Sequence, residues 1–152
     1  MNEHFATATA AIPALFAELH VSSPFPAKGV AAHLGRAGVY VFFEDSVPVH
    51  VGRTRNLQGR LRGHTAKSHY SASFAFKRAR RLLERTATYT AEGSRLALSR
   101  EDVFRAEFYR QIELVKLMNV RFVDVADPVA QYLLELYAHL EYGLLLDEFD
   151  TH

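Results

Sequence analysis

The stretch Gly38-Val39-Tyr40-Val41-Phe42-Phe43-Glu44-Asp45-Ser46-Val47-Pro48-Val49-His50-Val51-Gly52 decides how this chain is read. Two short apolar runs, Gly38–Phe43 and Val47–Gly52, flank the turn-rich Glu44-Asp45-Ser46-Val47-Pro48, which predicts a β-hairpin. Each run begins or ends on Gly and carries one titratable ring, Tyr40 and His50, ten residues apart. Asn56 then offers an N-cap for a helix to about Lys67. That helix places Arg60 and His64 four residues apart, hence on one face. Two proton-handling rings followed at once by a cation and a second His form an arrangement suited to phosphodiester chemistry.

Outward from the hairpin, residues 5–20 read as an Ala- and Leu-rich helix with Pro13 as a kink or late start. Ser22-Ser23-Pro24-Phe25-Pro26 reads as a break. Ser71 or Ser73 caps a helix with Phe74, Phe76, Leu82 and Leu83 as core candidates, and 86–98 is irregular. Ser99 with Asp102 resembles a capping arrangement for a long amphipathic helix to about Met118. Val120–Val125 alternates like a strand. Asp127-Pro128, an N-cap followed by Pro at the first helical position, starts a helix to about Tyr142. The order is α, β, β, α, α, α, β, α, and three strands need helices over at least one sheet face.

The 152 residues are 49% apolar and 23% charged, as expected of one globular domain. There is no Cys, which excludes disulfides and thiolate metal sites. No apolar run is long enough to cross a bilayer. The N-terminus, with Glu3 and His4 and an apolar stretch interrupted by Pro13 and Glu18, does not read as a signal peptide, so the cytoplasm is the expected location. The net charge of +1 hides an asymmetry. Residues 50–85 hold ten Lys or Arg against Glu84 alone, a segment of +9, while the rest of the chain is −8. A one-sided basic block is the footprint of a polyanion-binding face. Its expected contact residues are Arg53, Arg55, Arg62, Lys67, Lys77, Arg78 and Arg81.

The chain resembles the GIY-YIG nucleases. Gly38-Val39-Tyr40 stands where that family has its first motif, and His50-Val51-Gly52 where it has its second, with His in place of the usual Tyr. Arg60 lies at the family's ten-residue spacing from the second motif, His64 fits the Tyr or His four residues on, and Asn56-Leu57 matches the turn into the first helix. The strand at Val120–Val125 and the helix after Asp127-Pro128 match the family's closing pattern, with Glu135 at the position of its metal-binding Glu. Asp147 stands where members often have Asn. The resemblance covers about 36–69 and 118–148. It implies an α/β (α+β) domain over 36–152, with a three-stranded antiparallel sheet flanked by helices, a helical insertion at about 70–117, and an N-terminal helical extension over 1–35. It implies an endonuclease dependent on Mg²⁺ (or Mn²⁺) that hydrolyses DNA and leaves 5′-phosphate and 3′-hydroxyl ends. Its catalytic residues would be Tyr40, His50, Arg60, His64 and Glu135, with Glu135 on the metal and Asp147 as a second candidate ligand.

The residues carry a physical reading of their own. Phosphodiester hydrolysis needs an activated water and charge neutralisation at the phosphate. Glu135 alone holds Mg²⁺ only with help from waters and substrate oxygens. Arg60 can grip a phosphate bidentately. Tyr40 serves as a base only if nearby cations lower its pKa, whereas His50 needs no shift. Each residue also has a plainer role open to it: Tyr40 as a core aromatic, His50 as a cross-strand ring, Arg60 and Arg62 as a solvated helix face, and His64 exposed. Glu135, set among leucines, needs a partner if it is buried, and a metal or an Arg is the natural one. Two other functions remain open: a nucleic-acid-binding module of this fold with weak or no catalysis, and a helical adaptor whose basic insertion docks an acidic protein. Recognition of DNA or RNA would have to come from the insertion, a protein partner or a homodimer.

Overall fold

The computed structural model describes residues 1–29, 34–85, 88 and 90–146. Among these the chain forms α1 (Glu3–Val21), β1 (Phe25–Pro26), β2 (Gly38–Glu44), β3 (Val47–Thr54), α2 (Leu57–His64), α3 (Ser73–Leu82), α4 (Arg95–Arg100), α5 (Asp102–Lys116), β4 (Asn119–Asp124) and α6 (Pro128–Glu141). The sheet is open and antiparallel throughout, in the order β1-β4-β2-β3. It has four strands where the sequence predicts three. The added strand is Phe25–Pro26, inside the segment read as a break, paired to Val120 and Asn119. A two-residue edge strand containing Pro leaves no periodic signature, because Pro26 cannot donate to a ladder. No described helix is long and apolar enough to cross a membrane.

Alternation along the strands builds three layers. Val39, Val41, Val51, Val123 and Val125 face α1 and α6, where they meet Ala8, Ile12, Leu19, Leu134 and Ala138. Tyr40, Phe42, Val120 and Phe122 face the opposite way, onto α2, α3, α4 and α5, through Leu57, Leu61, Phe74, Phe76, Leu98, Phe104, Phe108 and Ile112. The N-terminal helix therefore closes one core by packing on α6 and β4, and the 70–117 region supplies most of the other.

The hairpin turns at Asp45 and Ser46, which have φ of 49° and 67°, the left-handed pair that matches strand twist in a two-residue turn. Next to it the register slips. Phe43 pairs with Pro48, but Phe42 pairs with His50, so Val49 is an extra residue on β3. Directly opposed residues share a face, so this one-residue bulge moves His50 from the α6 side to the side of Phe42 and Tyr40. Val51 and Arg53 consequently point toward α6.

The helix caps divide between expected and unexpected. Asn56 accepts from Gly59 N, and Asp127 accepts from Ala130 N ahead of Pro128. Asn2 starts α1 earlier than expected by accepting from Phe5 N, and the helix runs through Pro13. Ser99 does not cap α5: its hydroxyl bonds back to the Leu96 carbonyl within α4. Neither Ser71 nor Ser73 caps α3, whose N-cap is Ala72. Leu82, expected in the core, is exposed.

Gly38 sets how closely the two central strands approach. A Cβ there would lie 1.9 Å from the Val123 carbonyl oxygen, a backbone atom with nowhere to move. Gly38→Ala is expected to cost at least the ~1–3 kcal/mol typical of overpacking, read as a lower urea midpoint. A midpoint equal to wild type would show that β2 and β4 can separate freely.

Candidate active site

The phenol of Tyr40 is the hub of the site. Its ring lies flat over β3 because Gly52, directly opposite on that strand, has no side chain. A Cβ on Gly52 would come within 2.3 Å of the Tyr40 hydroxyl oxygen. From α2, one helical turn apart, Arg60 and His64 both reach this oxygen. Tyr40 Oη is 2.7 Å from His64 Nε2, and Arg60 Nε donates to it at 3.3 Å. Tyr40 and His64 are fully buried.

Electrostatics assigns the protons. Burial raises the Tyr40 pKa, with Arg60 opposing it, so the phenol keeps its proton. His64 is pushed well below its ordinary value, first by burial and then by Arg60 and His50, so the imidazole is neutral. Arg60 already donates to the phenol oxygen, so the phenol proton goes to His64 Nε2, and His64 carries its own proton on Nδ1. The Nδ1 atom is buried without a hydrogen-bond partner.

His50 sits beside this pair. Its ring stacks on Phe74 with centroids 4.5 Å apart and meets His64 edge-on at 5.3 Å. Arg60 continues to the Ser71 carbonyl at 3.4 Å and the Ser73 hydroxyl at 3.3 Å. Ser73 is thus used by the site instead of capping α3. All three Arg60 bonds are longer than the 2.7–2.9 Å usual for charged pairs, and none goes to a carboxylate, so the guanidinium charge remains available to an anion.

Glu135 enters from α6. It is 1% exposed, and Arg53 Nε stands 3.0 Å from its Oε2. The N–H does not aim along that line, so the contact is an ion pair without an aligned hydrogen bond. Arg53 also lies 3.7 Å above the Tyr132 ring. Burial lifts the Glu135 pKa to about 7, against the pull of Arg53 and Arg60. Tyr40, His50, Val51, Gly52, Arg53, Arg60 and Glu135 line one pocket. It lies at β3, an edge strand, where no further strand separates the α2 side from the α6 side.

The structure therefore brings Tyr40, His50, Arg60, His64 and Glu135 together, and places His64 inside the cluster rather than in solvent. Arg53, read from sequence as a polyanion contact, is the partner of Glu135. Tyr132 and Ser73 went unread; Tyr132 is three residues before Glu135 on the same helix face, which was the available signal. Among the other expected polyanion contacts, Arg55, Arg62, Lys67 and Arg81 are exposed. Two are turned inward. Lys77 is 7% exposed, and Arg78 is held by both Glu44 carboxylate oxygens and by Gln111. The amphipathicity of α3 rotates them onto the β2 and α5 side, which the charge count alone does not reveal. Asp147 lies outside the described residues. No group of three or more His, Asp or Glu that could hold a metal occurs among the described residues, and Glu135 is the pocket's single carboxylate. Compared with models of protein families, with curated proteins and with solved structures, the chain gives no match.

The pH dependence of stability should expose both buried titrating groups. Glu135 has a raised folded pKa, so its contribution is full below about 4.5 and is lost as pH rises through about 7. His64 has a lowered folded pKa, so its contribution is full above its ordinary 6.5 and is lost as pH falls below that value. The two slopes oppose each other between about pH 4.5 and 6.5. Glu135→Gln should therefore gain stability over wild type between pH 5 and 8, by on the order of 3 kcal/mol at most. Urea melts across that range giving a constant difference would remove this assignment.

Proposed function

We propose that the protein is a metal-dependent endonuclease of the GIY-YIG type, hydrolysing nucleic-acid phosphodiesters, most simply DNA. The observation that carries this reading is the convergence of Tyr40, His64 and Arg60 on one phenol oxygen, with His50 and Glu135 on the same pocket. A fold-level likeness alone would not support it; the argument rests on what these groups can do together.

Glu135 suits a divalent cation. Its Oε2 faces the Arg53 Nε without an aligned hydrogen bond, in a pocket where it is the single carboxylate beside the two cations Arg53 and Arg60. A single carboxylate is compatible with Mg²⁺, which keeps several waters and takes substrate oxygens. Bound there, Mg²⁺ (or Mn²⁺) would neutralise phosphate charge and acidify water.

The side chains supply the rest. Arg60 donates to a non-bridging phosphate oxygen, releasing its long bonds to Ser71 and Ser73. An incoming water gives a proton to Tyr40 as the phenol proton moves to His64 Nε2, so no free phenolate forms in the buried site. Arg60 and His50 disfavour the resulting imidazolium, and the phosphate's negative charge offsets that cost. The water oxygen bonds to phosphorus, the bond to the 3′-oxygen breaks, and the products are a 5′-phosphate and a 3′-hydroxyl. The leaving 3′-oxygen takes its proton from solvent water, and His64 gives back through Tyr40 the proton it gained, so the protein ends in its starting state; His50 lines the pocket wall beside them. A cation held by Glu135 would compete with Arg53 for the carboxylate, and the Arg53 guanidinium, at the pocket edge, would then be available to the phosphate backbone. The second reading, a nucleic-acid-binding module without catalysis, is favoured by one feature: the Arg53–Glu135 pair closes the carboxylate in the resting site.

Cleavage of a labelled duplex with Mg²⁺, and in excess chelator, decides between the two. Glu135→Ala should abolish metal-dependent cleavage, and Arg60→Ala should reduce it by about 10²–10³-fold, as for loss of one transition-state donor. Tyr40→Phe should fall comparably while remaining folded. Full activity of Glu135→Ala, or wild-type turnover in chelator, would remove the mechanism. Binding without cleavage under all conditions would favour the module.

A further inference from the structure

On the far side of the turn that Arg60 grips lies a second cluster of cations and rings. Tyr70 is 78% exposed at the tip of that turn and packs on His69 with centroids 4.2 Å apart. Arg95, at the start of α4, donates to the His69 carbonyl and lies 4.8 Å from the Phe76 ring centroid. Its Nε is buried without a hydrogen-bond partner. Arg100, at the other end of α4, is exposed. The neighbouring carboxylate, Glu101, is taken by Arg85 through both oxygens. Arg95 and Arg100 both act electrostatically on His69, reinforcing the downward shift that burial gives its pKa, and Arg80 acts on Arg95. The Tyr70 phenol opposes the shift of Arg95, and no carboxylate contributes to either shift. Mutually repelling guanidiniums gathered beside an exposed aromatic ring are costly in a free protein and are relieved by an anion carrying a planar group.

We propose that this turn and α4 form a subsite for an unpaired nucleotide, the base stacking on Tyr70 and its phosphate received by Arg95 and Arg100. The inference rests on the nucleic-acid reading of the main pocket and extends it to a substrate class with a single-stranded segment. Register supports it. The turn is clamped on one flank by Arg60, through Ser71 and Ser73, and on the other by Arg95, through His69. The stacking ring is thus held at a fixed offset from the catalytic phenol. Base stacking on an aromatic ring is sequence-tolerant and needs an open face, which Tyr70 has.

The test is binding of a fluorescein-labelled oligo-dT and of a duplex of equal length, followed by anisotropy in excess EDTA so that cleavage plays no part. Tyr70→Ala is expected to weaken oligo-dT binding about ten-fold or more, to leave duplex binding within two-fold, and Tyr70→Phe to behave as wild type. Arg100→Gln should lower the salt slope on oligo-dT by about 0.7 per lost phosphate contact. Wild-type affinity of Tyr70→Ala for oligo-dT, an equal loss on duplex, or no binding of oligo-dT by the wild type would overturn the subsite. The two readings fail separately. Tyr70-dependent binding without metal-dependent cleavage keeps the subsite and removes the nuclease; cleavage with Tyr70-independent binding does the reverse.

Discussion

Everything at this site depends on one close approach, that of the Tyr40 phenol to the backbone of Gly52. The ring must lie flat over the edge strand to bring its oxygen to Arg60 and His64, and only the absence of a Cβ permits it. The same contact lets a buried Tyr serve the core with its ring while its hydroxyl stays hydrogen-bonded. Its ring contributes apolar area to the cluster with Phe42 and Leu57, while its hydroxyl has two partners and so avoids the ~1–3 kcal/mol cost of an unsatisfied buried group. Burial in the core and a hydrogen-bonded hydroxyl are compatible here, since the same packing that buries the ring holds its oxygen 2.7 Å from His64 Nε2.

The second constraint is the buried charge of Glu135. Removing a carboxylate from water is expensive, and the pull of Arg53 and Arg60 offsets only part of that cost. The result is an acid lifted to about 7 instead of one held low. A site optimised for stability would align Arg53 or replace Glu135 by an apolar residue. A poorly satisfied carboxylate with a raised pKa beside two cations marks a candidate functional group. Tyr132 has a related role: by stacking under Arg53 it fixes where that cation waits.

Much of this was legible in the residues, for physical reasons that can be named. The hairpin, the Asn56 cap and the Asp127-Pro128 start are local rules, set by turn chemistry and orphan N–H groups, and they appear where sequence places them. Arg60 and His64 share a face because a helical turn brings positions four apart together. What was hidden depends on tertiary neighbours. The β1 strand is two residues long and has no period to read. Lys77 and Arg78 count as basic residues, yet burial of one face of α3 against Phe42 and Phe108 carries them inward. Arg53 reads from sequence as a polyanion contact because nothing along the chain announces that residue 53 and residue 135 meet.

The bulge at Val49 shows how little chain is needed to set a site's chemistry. In a regular ladder, Phe42 would face Val49, and His50 would lie on the α6 side among valines. Pro48 lacks an N–H, so the ladder is already weakened where the extra residue enters, and the slip there interrupts little hydrogen bonding. Because side chains alternate strictly, this one residue has two consequences at once. It turns His50 toward Tyr40 and His64, and it keeps Arg53 on the face that looks at Glu135. The proton-handling rings and the carboxylate–cation pair are therefore sorted to opposite sides of a single edge strand. Gly52, which lies between them in sequence and carries no side chain, is where the two halves come into reach of each other.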